Sequence, residues 1–142
     1  MMETVVFKYS INGDDFAAAG EASTDMKQKL RKIGIDAATI RRCAICMYEG
    51  EINMVIHANG GDVEVHVTED IIKIILKDKG PGIEDIDRAM SEGFSTATHS
   101  IRELGFGAGM GLPNMKKNSD EISVESTIGV GTTVTVVINI NQ

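Results

Sequence analysis

The chain has 142 residues, a formal net charge of −7 and no tryptophan. That length supports a single domain with a real core, built from Ile, Val, Leu, Ala and eight Met. The acidic balance argues against nucleic acid as the main partner. No apolar run is long enough to span a membrane, and Met1-Met2-Glu3-Thr4 lacks the stretches of a signal peptide, so a cytoplasmic protein is expected.

Val5, Phe7, Tyr9 and Ile11 recur at every second position, which predicts a strand with one buried face. Asn12 to Asp15 offers capping residues for a helix running to about Ile33, which Gly34 stops. Asp36 can cap a second helix, extending to about Ala58. Asn59-Gly60-Gly61-Asp62 reads as a turn. Val63, Val65 and Val67 alternate with Glu64 and His66 as a half-buried strand, and Ile71 to Leu76 forms a denser apolar strand ending at Asp78. Asp85 to Met90 reads as a short helix, Ser91 to Leu104 as a loop and Leu112 to Lys117 as a helix. Glu121 to Ser126 and Thr132 to Ile140 close the chain as two strands. Strand pairs joined by tight turns pair antiparallel, so the expectation is an α+β, two-layer α/β sandwich: a mixed, largely antiparallel sheet with helices on one face.

Nine of the fifteen glycines lie between Gly80 and Gly131. Glycine lets backbone approach a ligand closely and adopt positive φ. In Gly105-Phe106-Gly107-Ala108-Gly109-Met110-Gly111-Leu112 the alternating glycines suit neither strand nor helix interior, and the intervening residues are too apolar for a linker. The helix that follows can present free N–H groups to phosphate. The run is not the G-x-x-x-x-G-K-[ST] loop, because Leu112-Pro113 follows the last glycine. It is not a dinucleotide fingerprint either, because a loop rather than a strand precedes it.

Glu49, Asn53 and His57 are spaced by four on the second helix and share one polar face. An Asn amide oxygen can ligate Mg²⁺ when phosphates and water complete the shell, and a carboxylate one turn away can act as a base. Taken alone, the spacing is better read as the solvated stripe of an amphipathic helix, which is the ordinary case. Gly50, costly in mid-helix, suggests close packing or close ligand approach. Asp78 could accept a hydrogen bond from an adenine amino group, with Gly80 and Gly82 passing under the base, or could simply cap a turn. Cys43 and Cys46 form a C-x-x-C with no second pair or His cluster nearby, and read as small apolar helix residues.

In combination these segments resemble the GHKL superfamily of ATP-binding domains (the Bergerat fold). Glu49-x-x-x-Asn53 resembles its N box, Asp78-x-Gly80-x-Gly82 its G1 box, Gly105 to Leu112 its G2 box and Gly129-x-Gly131-Thr132 its terminal G3 box. The resemblance covers essentially the whole chain, residues 1–142. Asp78-Lys-Gly-Pro-Gly-Ile83, with Gly93-Phe-Ser-Thr96 beyond it, is most similar to the bacterial anti-sigma and switch-protein serine/threonine kinases.

That resemblance implies Glu49 as catalytic base and Asn53 as Mg²⁺ ligand. It implies Asp78 as adenine reader, with Gly80 and Gly82 shaping the base pocket. Gly105, Gly107, Gly109, Gly111 and Leu112 would wrap the phosphates, and Thr132 would support adenine through water. Residues 92–109 would be the ATP lid and glycine loop, with Arg102 as the lid cation. Many relatives carry Ala where Gly50 and Met54 stand, and no segment supplies a phosphoacceptor-His bundle. His57, on the nucleotide's own helix, is read as structural.

The expected function is an ATP- and Mg²⁺-dependent kinase that phosphorylates a Ser or Thr of a small antagonist protein. The alternatives are an ATP-gated module that sequesters a sigma factor or other regulator, or a plain ATPase. The resemblance also allows a homodimer, for which the sequence picks out no interface.

Overall fold

The computed structural model of the chain describes residues 4–13, 15, 17–57, 60–83, 86, 90 and 111–140. In chain order these form β1 (Val5–Asn12), α1 (Glu21–Ile33), α2 (Ala37–His57), β2 (Gly60–Val67), β3 (Ile71–Asp78), α3 (Gly111–Lys117), β4 (Glu121–Thr127) and β5 (Gly131–Asn139). The strands make one sheet in the order β1-β2-β3-β5-β4, and each described ladder is antiparallel.

Period-two alternation puts three rows of aliphatic residues across the sheet. Tyr9, Val63, Leu76, Val134 and Val124 stand side by side, as do Phe7, Val65, Ile74, Val136 and Ile122. Val5, Val67, Ile72 and Ile138 form the third row. The residues on β2, β3 and β5 are buried, and each such burial contributes about 1.5–3 kcal/mol. Their partners on the edge strands are half-buried and pack on the same core. Lys8, Glu64, Lys73 and Thr135 take the intervening positions on the other face, so the helices cover one side only.

Methionine fills the layer between helices and sheet. Met26, Met47, Met54 and Met115 are buried with Leu30, Ile40, Cys43 and Cys46. Flexible thioethers suit a core without tryptophan. Gly50 sets the spacing of α2 above the sheet, because a Cβ there would stand 2.3 Å from Leu76 Cδ2. The mid-helix glycine therefore serves close packing onto β3.

Two expectations are corrected by the fold. The first helix does not start at Asn12 to Asp15. It starts at Glu21, because Gly20 adopts a left-handed φ of 98° and breaks any earlier helix. Its end matches expectation: Gly34 N–H donates to Arg31 O and Ile35 N–H to Leu30 O, a Schellman closure. Gly60, Gly61 and Asp62 are not a turn but the start of β2, opposite Asn12, Ile11 and Ser10. A Cβ at Gly60 would reach 2.1 Å from Ile11 O, and one at Gly61 2.3 Å from Lys77 O. Glycine is there because neighbouring backbone comes close on both sides.

Candidate functional site

The C-terminal end of β3 carries Asp78. Leu76 faces α2, so Asp78, two residues on, projects from the same face of the sheet. Its Oδ1 accepts the Thr132 N–H at 2.9 Å and the Gly80 N–H at 3.0 Å. Among the described residues no donor is placed on Oδ2. Thr132 is buried, and its hydroxyl lies 2.8 Å from Ser126 Oγ. Ser126 Oγ also accepts the Ile83 N–H at 2.7 Å. A single serine on the edge strand thus holds both the chain after Gly82 and the Thr132 hydroxyl. No periodicity marks Ser126 in the sequence.

Glycine at this end serves backbone approach. A Cβ on Gly131 would lie 2.3 Å from Asp78 O, and one on Gly82, whose φ is 88°, would lie 2.7 Å from Thr127 O. Gly129 N–H donates to Pro81 O at 2.8 Å. The Pro81-Gly82 segment therefore packs against the β4–β5 turn.

The helical side is built by α2 and α3. Asp36 begins α2: its carboxylate accepts the Thr39 N–H at 3.0 Å and the Thr39 hydroxyl at 2.7 Å. Those bonds, the hydroxyl first, hold its carboxyl below the usual range. Gly50 rests on Leu76, so the part of α2 bearing Glu49 and Asn53 lies above the end of β3. Gly111, at the start of α3, lies against Asn53, and a Cβ there would stand 2.8 Å from Asn53 Nδ2. Asn114 Nδ2 donates to Glu49 Oε1 at 3.1 Å. The Cys46 thiol donates to Met115 O at 3.5 Å, joining α3 to α2 from within the core.

Glu51 is a structural carboxylate on α2 that sequence reasoning missed. It is 2% exposed. Its Oε2 accepts the Gly20 and Ala22 N–H groups, and its Oε1 accepts the N–H and the hydroxyl of Ser23. Gly20 has no side chain to cap α1, so Glu51 of the neighbouring helix satisfies the orphan donors and places negative charge at the helix start. A signal existed: Met47, Glu51 and Val55 are spaced by four, so Glu51 stands inside the apolar row of α2.

Cys43 and Cys46 are buried and free, and burial pushes both thiols up to about 12. They behave as apolar helix residues, as their isolation in the sequence suggests. Among the described residues no cluster of three or more His, Cys, Asp or Glu could hold a metal. No helix there is long and apolar enough to cross a membrane.

The structure joins the predicted residues in two groups. Asp78, Gly80 and Thr132 are joined by hydrogen bonds at the sheet end. Glu49, Asn53 and Gly111 meet between α2 and α3. Leu112 is half-buried and packs on the core. Gly105, Gly107, Gly109, Arg102 and the lid span 92–109 lie outside the described residues, as do the side chain of His57 and most of the short helix expected over 85–90.

Residues 38–142 match the family described as histidine kinase-, DNA gyrase B- and HSP90-like ATPase. This chain belongs to that family. Among curated members, the serine/threonine-protein kinase RsbT of Bacillus subtilis is 32% identical over 124 residues, 84% of this chain and 85% of RsbT. The anti-sigma F factor of Caldanaerobacter subterraneus is 35% identical over 95 residues, 67% of this chain and 59% of that factor. A solved structure of RsbU and RsbW domains from Mycobacterium tuberculosis superposes with a TM-score of 0.68 at 15% identity. It covers 97% of this chain and 33% of that one, and shows the shared GHKL fold.

Proposed function

We propose that this chain is an ATP- and Mg²⁺-dependent serine/threonine protein kinase of the anti-sigma regulatory type. It would act in the cytoplasm and pass the γ-phosphoryl group to a Ser or Thr of a small antagonist protein. The observation that carries the reading is the placement of Glu49 and Asn53 on one face of α2, against the start of α3 and above the sheet end that bears Asp78. The similarity to RsbT over most of both chains supports the same reading.

The residues fit a nucleotide. Asp78 has one oxygen engaged by backbone and the other without a described donor, which suits an adenine amino group. The Thr132 hydroxyl, held by Ser126, adds a second polar group beside it. Asn53 would offer its amide oxygen to Mg²⁺, with phosphate and water oxygens completing the shell. When bound, Mg²⁺ neutralises charge on the phosphates. Residues 92–109 would close over them as lid and glycine loop, with Arg102 contacting phosphate, an assignment that rests on the sequence.

In this reading Glu49 would accept the proton of the acceptor hydroxyl as its oxygen attacks the γ-phosphorus in line, while the bond from that phosphorus to the β,γ-bridging oxygen breaks and ADP leaves. Positioning and electrostatics would supply most of the rate enhancement. Glu49 also stands at one end of an open groove of about 950 Å³ between α1 and α2, lined in part by Ile40, Ala44 and Tyr48. A protein segment could approach the carboxylate from that side.

The test is label transfer from γ-labelled ATP with Mg²⁺ to small antagonist-type proteins of the same organism. Wild type should label a Ser or Thr. Glu49→Gln should lose about 100-fold or more of the rate, within the usual contribution of a general base, with nucleotide affinity nearly unchanged. Nucleotide binding without transfer to any protein would overturn the kinase reading. The similarity to anti-sigma F factors favours sequestration of a sigma factor as the second reading, and Glu49→Gln would then leave regulation intact. Phosphate release without labelled protein would identify a plain ATPase.

A further inference from the structure

We propose that Asn114 is a positioning residue for Glu49, setting the rotamer of the candidate base from the helix that follows the glycine loop. The inference rests on the reading of Glu49 as the base. Its observation is the 3.1 Å hydrogen bond from Asn114 Nδ2 to Glu49 Oε1. The amide orientation follows from chemistry, since turning Oδ1 toward a carboxylate would set two acceptors against each other.

A glutamate side chain has three rotatable bonds, and a base acts only within hydrogen-bond reach of its proton. Asn114 removes part of that freedom. It does so from a fixed frame: its carbonyl accepts Asn118 N–H at 3.2 Å and Asn118 Nδ2 at 2.8 Å. Its neighbour Met115 is fully buried and receives the Cys46 thiol on its carbonyl. Oε1 of Glu49 is thereby occupied, while no described donor lies on Oε2, the oxygen left for the acceptor's proton. The donor is neutral. An Arg or Lys in its place would hold the carboxylate as an ion pair and oppose its protonation during transfer.

Asn114 lies three residues after Gly111, whose backbone lies against Asn53. One short helix thus touches both members of the Glu49–Asn53 pair. A shift of α3 would therefore reset the candidate base together with the candidate metal ligand.

The experiment compares Asn114→Ala and Asn114→Asp with wild type in the full chain, with thermal melting to verify folding. The first readout is the Asn114 side-chain amide resonance in nucleotide-free protein. Replacing Glu49 with Ala should shift it to the position of a solvent-bonded amide, and an unmoved resonance overturns the pairing. The second readout is turnover of ATP with Mg²⁺, followed as phosphoryl transfer or phosphate release. Asn114→Ala should lower kcat about 10-fold with KM for ATP within about twofold, and Asn114→Asp at least as much, part of the rate that a positioned base supplies. In a Glu49→Gln background Asn114→Ala should cost nothing further. An equal loss in both backgrounds, or none in either, overturns the proposal. If wild type turns over no ATP, the kinase reading fails, and the amide resonance alone decides whether Asn114 holds Glu49.

Discussion

Asp78 is held by two main-chain donors, Thr132 on the neighbouring strand β5 and Gly80 just beyond the end of β3, whereas Glu49 is held by a side-chain amide from an adjoining helix. Main-chain donors move only when the sheet moves. A side-chain donor on a seven-residue helix moves with that helix. The end of the candidate site proposed to read the base is therefore preformed. The end proposed to take the phosphates is placed by packing between α2 and α3. A site of this kind can keep one nucleotide identity while its reactive end responds to what lies against it. One substitution tests each side of the contrast, and a third tests its margin.

The largest effect is expected on the helical side, at Glu51. Its carboxylate accepts four hydrogen bonds from the start of α1 in a buried setting. Glu51→Gln sets an NH₂ group against two N–H donors and removes the charge at the helix start. Unfolding free energy in a denaturant titration should fall by about 2–4 kcal/mol, the range for breaking a buried charged network. Amide exchange should rise first over Gly20 to Ser23. A loss under about 0.5 kcal/mol, the size of a neutral surface change, would mean that water replaces these bonds, and that the helical layer does not depend on this buried carboxylate.

On the sheet side the critical change is Asp78→Asn. The amide oxygen can keep the Thr132 and Gly80 N–H bonds, so the fold should survive. The NH₂ group then stands where the second carboxylate oxygen was and meets the adenine amino group donor to donor. ATP affinity should drop about 100-fold, the cost of an unpaired buried polar group. A purine triphosphate with a 6-keto group should lose much less, since its oxygen accepts from that NH₂. Calorimetry with both nucleotides reads the difference. Equal losses for the two would show that Asp78 does not read the base edge and would erase the contrast drawn above.

How much of this was legible in the sequence follows the same division. Alternation at Val5 to Ile11 and Val63 to Val67 marked two strands, because half-buried sheet writes its period directly into the chain, and the dense apolar run Ile71 to Leu76 marked a third. Asp36 and Gly34 marked helix ends, because caps are local. The N-box and glycine motifs marked the candidate residues by type and order. Residues whose role depends on a partner far along the chain were silent. Glu51 caps a helix some thirty positions earlier, Asn114 reaches Glu49 from the other side of the glycine loop, and Ser126 ties Ile83 to Thr132. Gly60 and Gly61 misled because glycine signals a turn and a close backbone approach with the same letter, and only the β1–β2–β3 register separates the two. The start of α1 was misplaced for a related reason, since its cap lies on another helix.

The smallest effect is expected at the rim of the helical layer, where charge is exposed. Arg42 of α2 donates to Asn118 O and to Asp120 Oδ2, and Asp120 Oδ2 also accepts the Asn139 N–H at 2.7 Å. The backbone donor first, and then Arg42, hold the Asp120 carboxyl below its usual 3.8. A depressed folded value fixes the sign. Above about 3.8 both folded and unfolded chains carry the charge, and the stabilisation is complete. As pH falls, the unfolded chain takes up the proton first, and the contribution fades until the folded carboxyl is protonated too. Asp120 is partly exposed, so solvent screening limits the whole effect to at most about 0.5 kcal/mol. Asp120→Asn should therefore flatten the acid limb of stability slightly between pH 5 and pH 3, leaving stability at pH 7 lower by that small amount. Nucleotide affinity should not change, because the Arg42–Asp120 contact joins α2 to the β4 side without touching Asp78, Asn53 or Glu49. A change in affinity on Asp120→Asn would place the Arg42 clamp in the path that positions α2 over the sheet end, and would extend the packing-dependent side of the site to the margin of the fold.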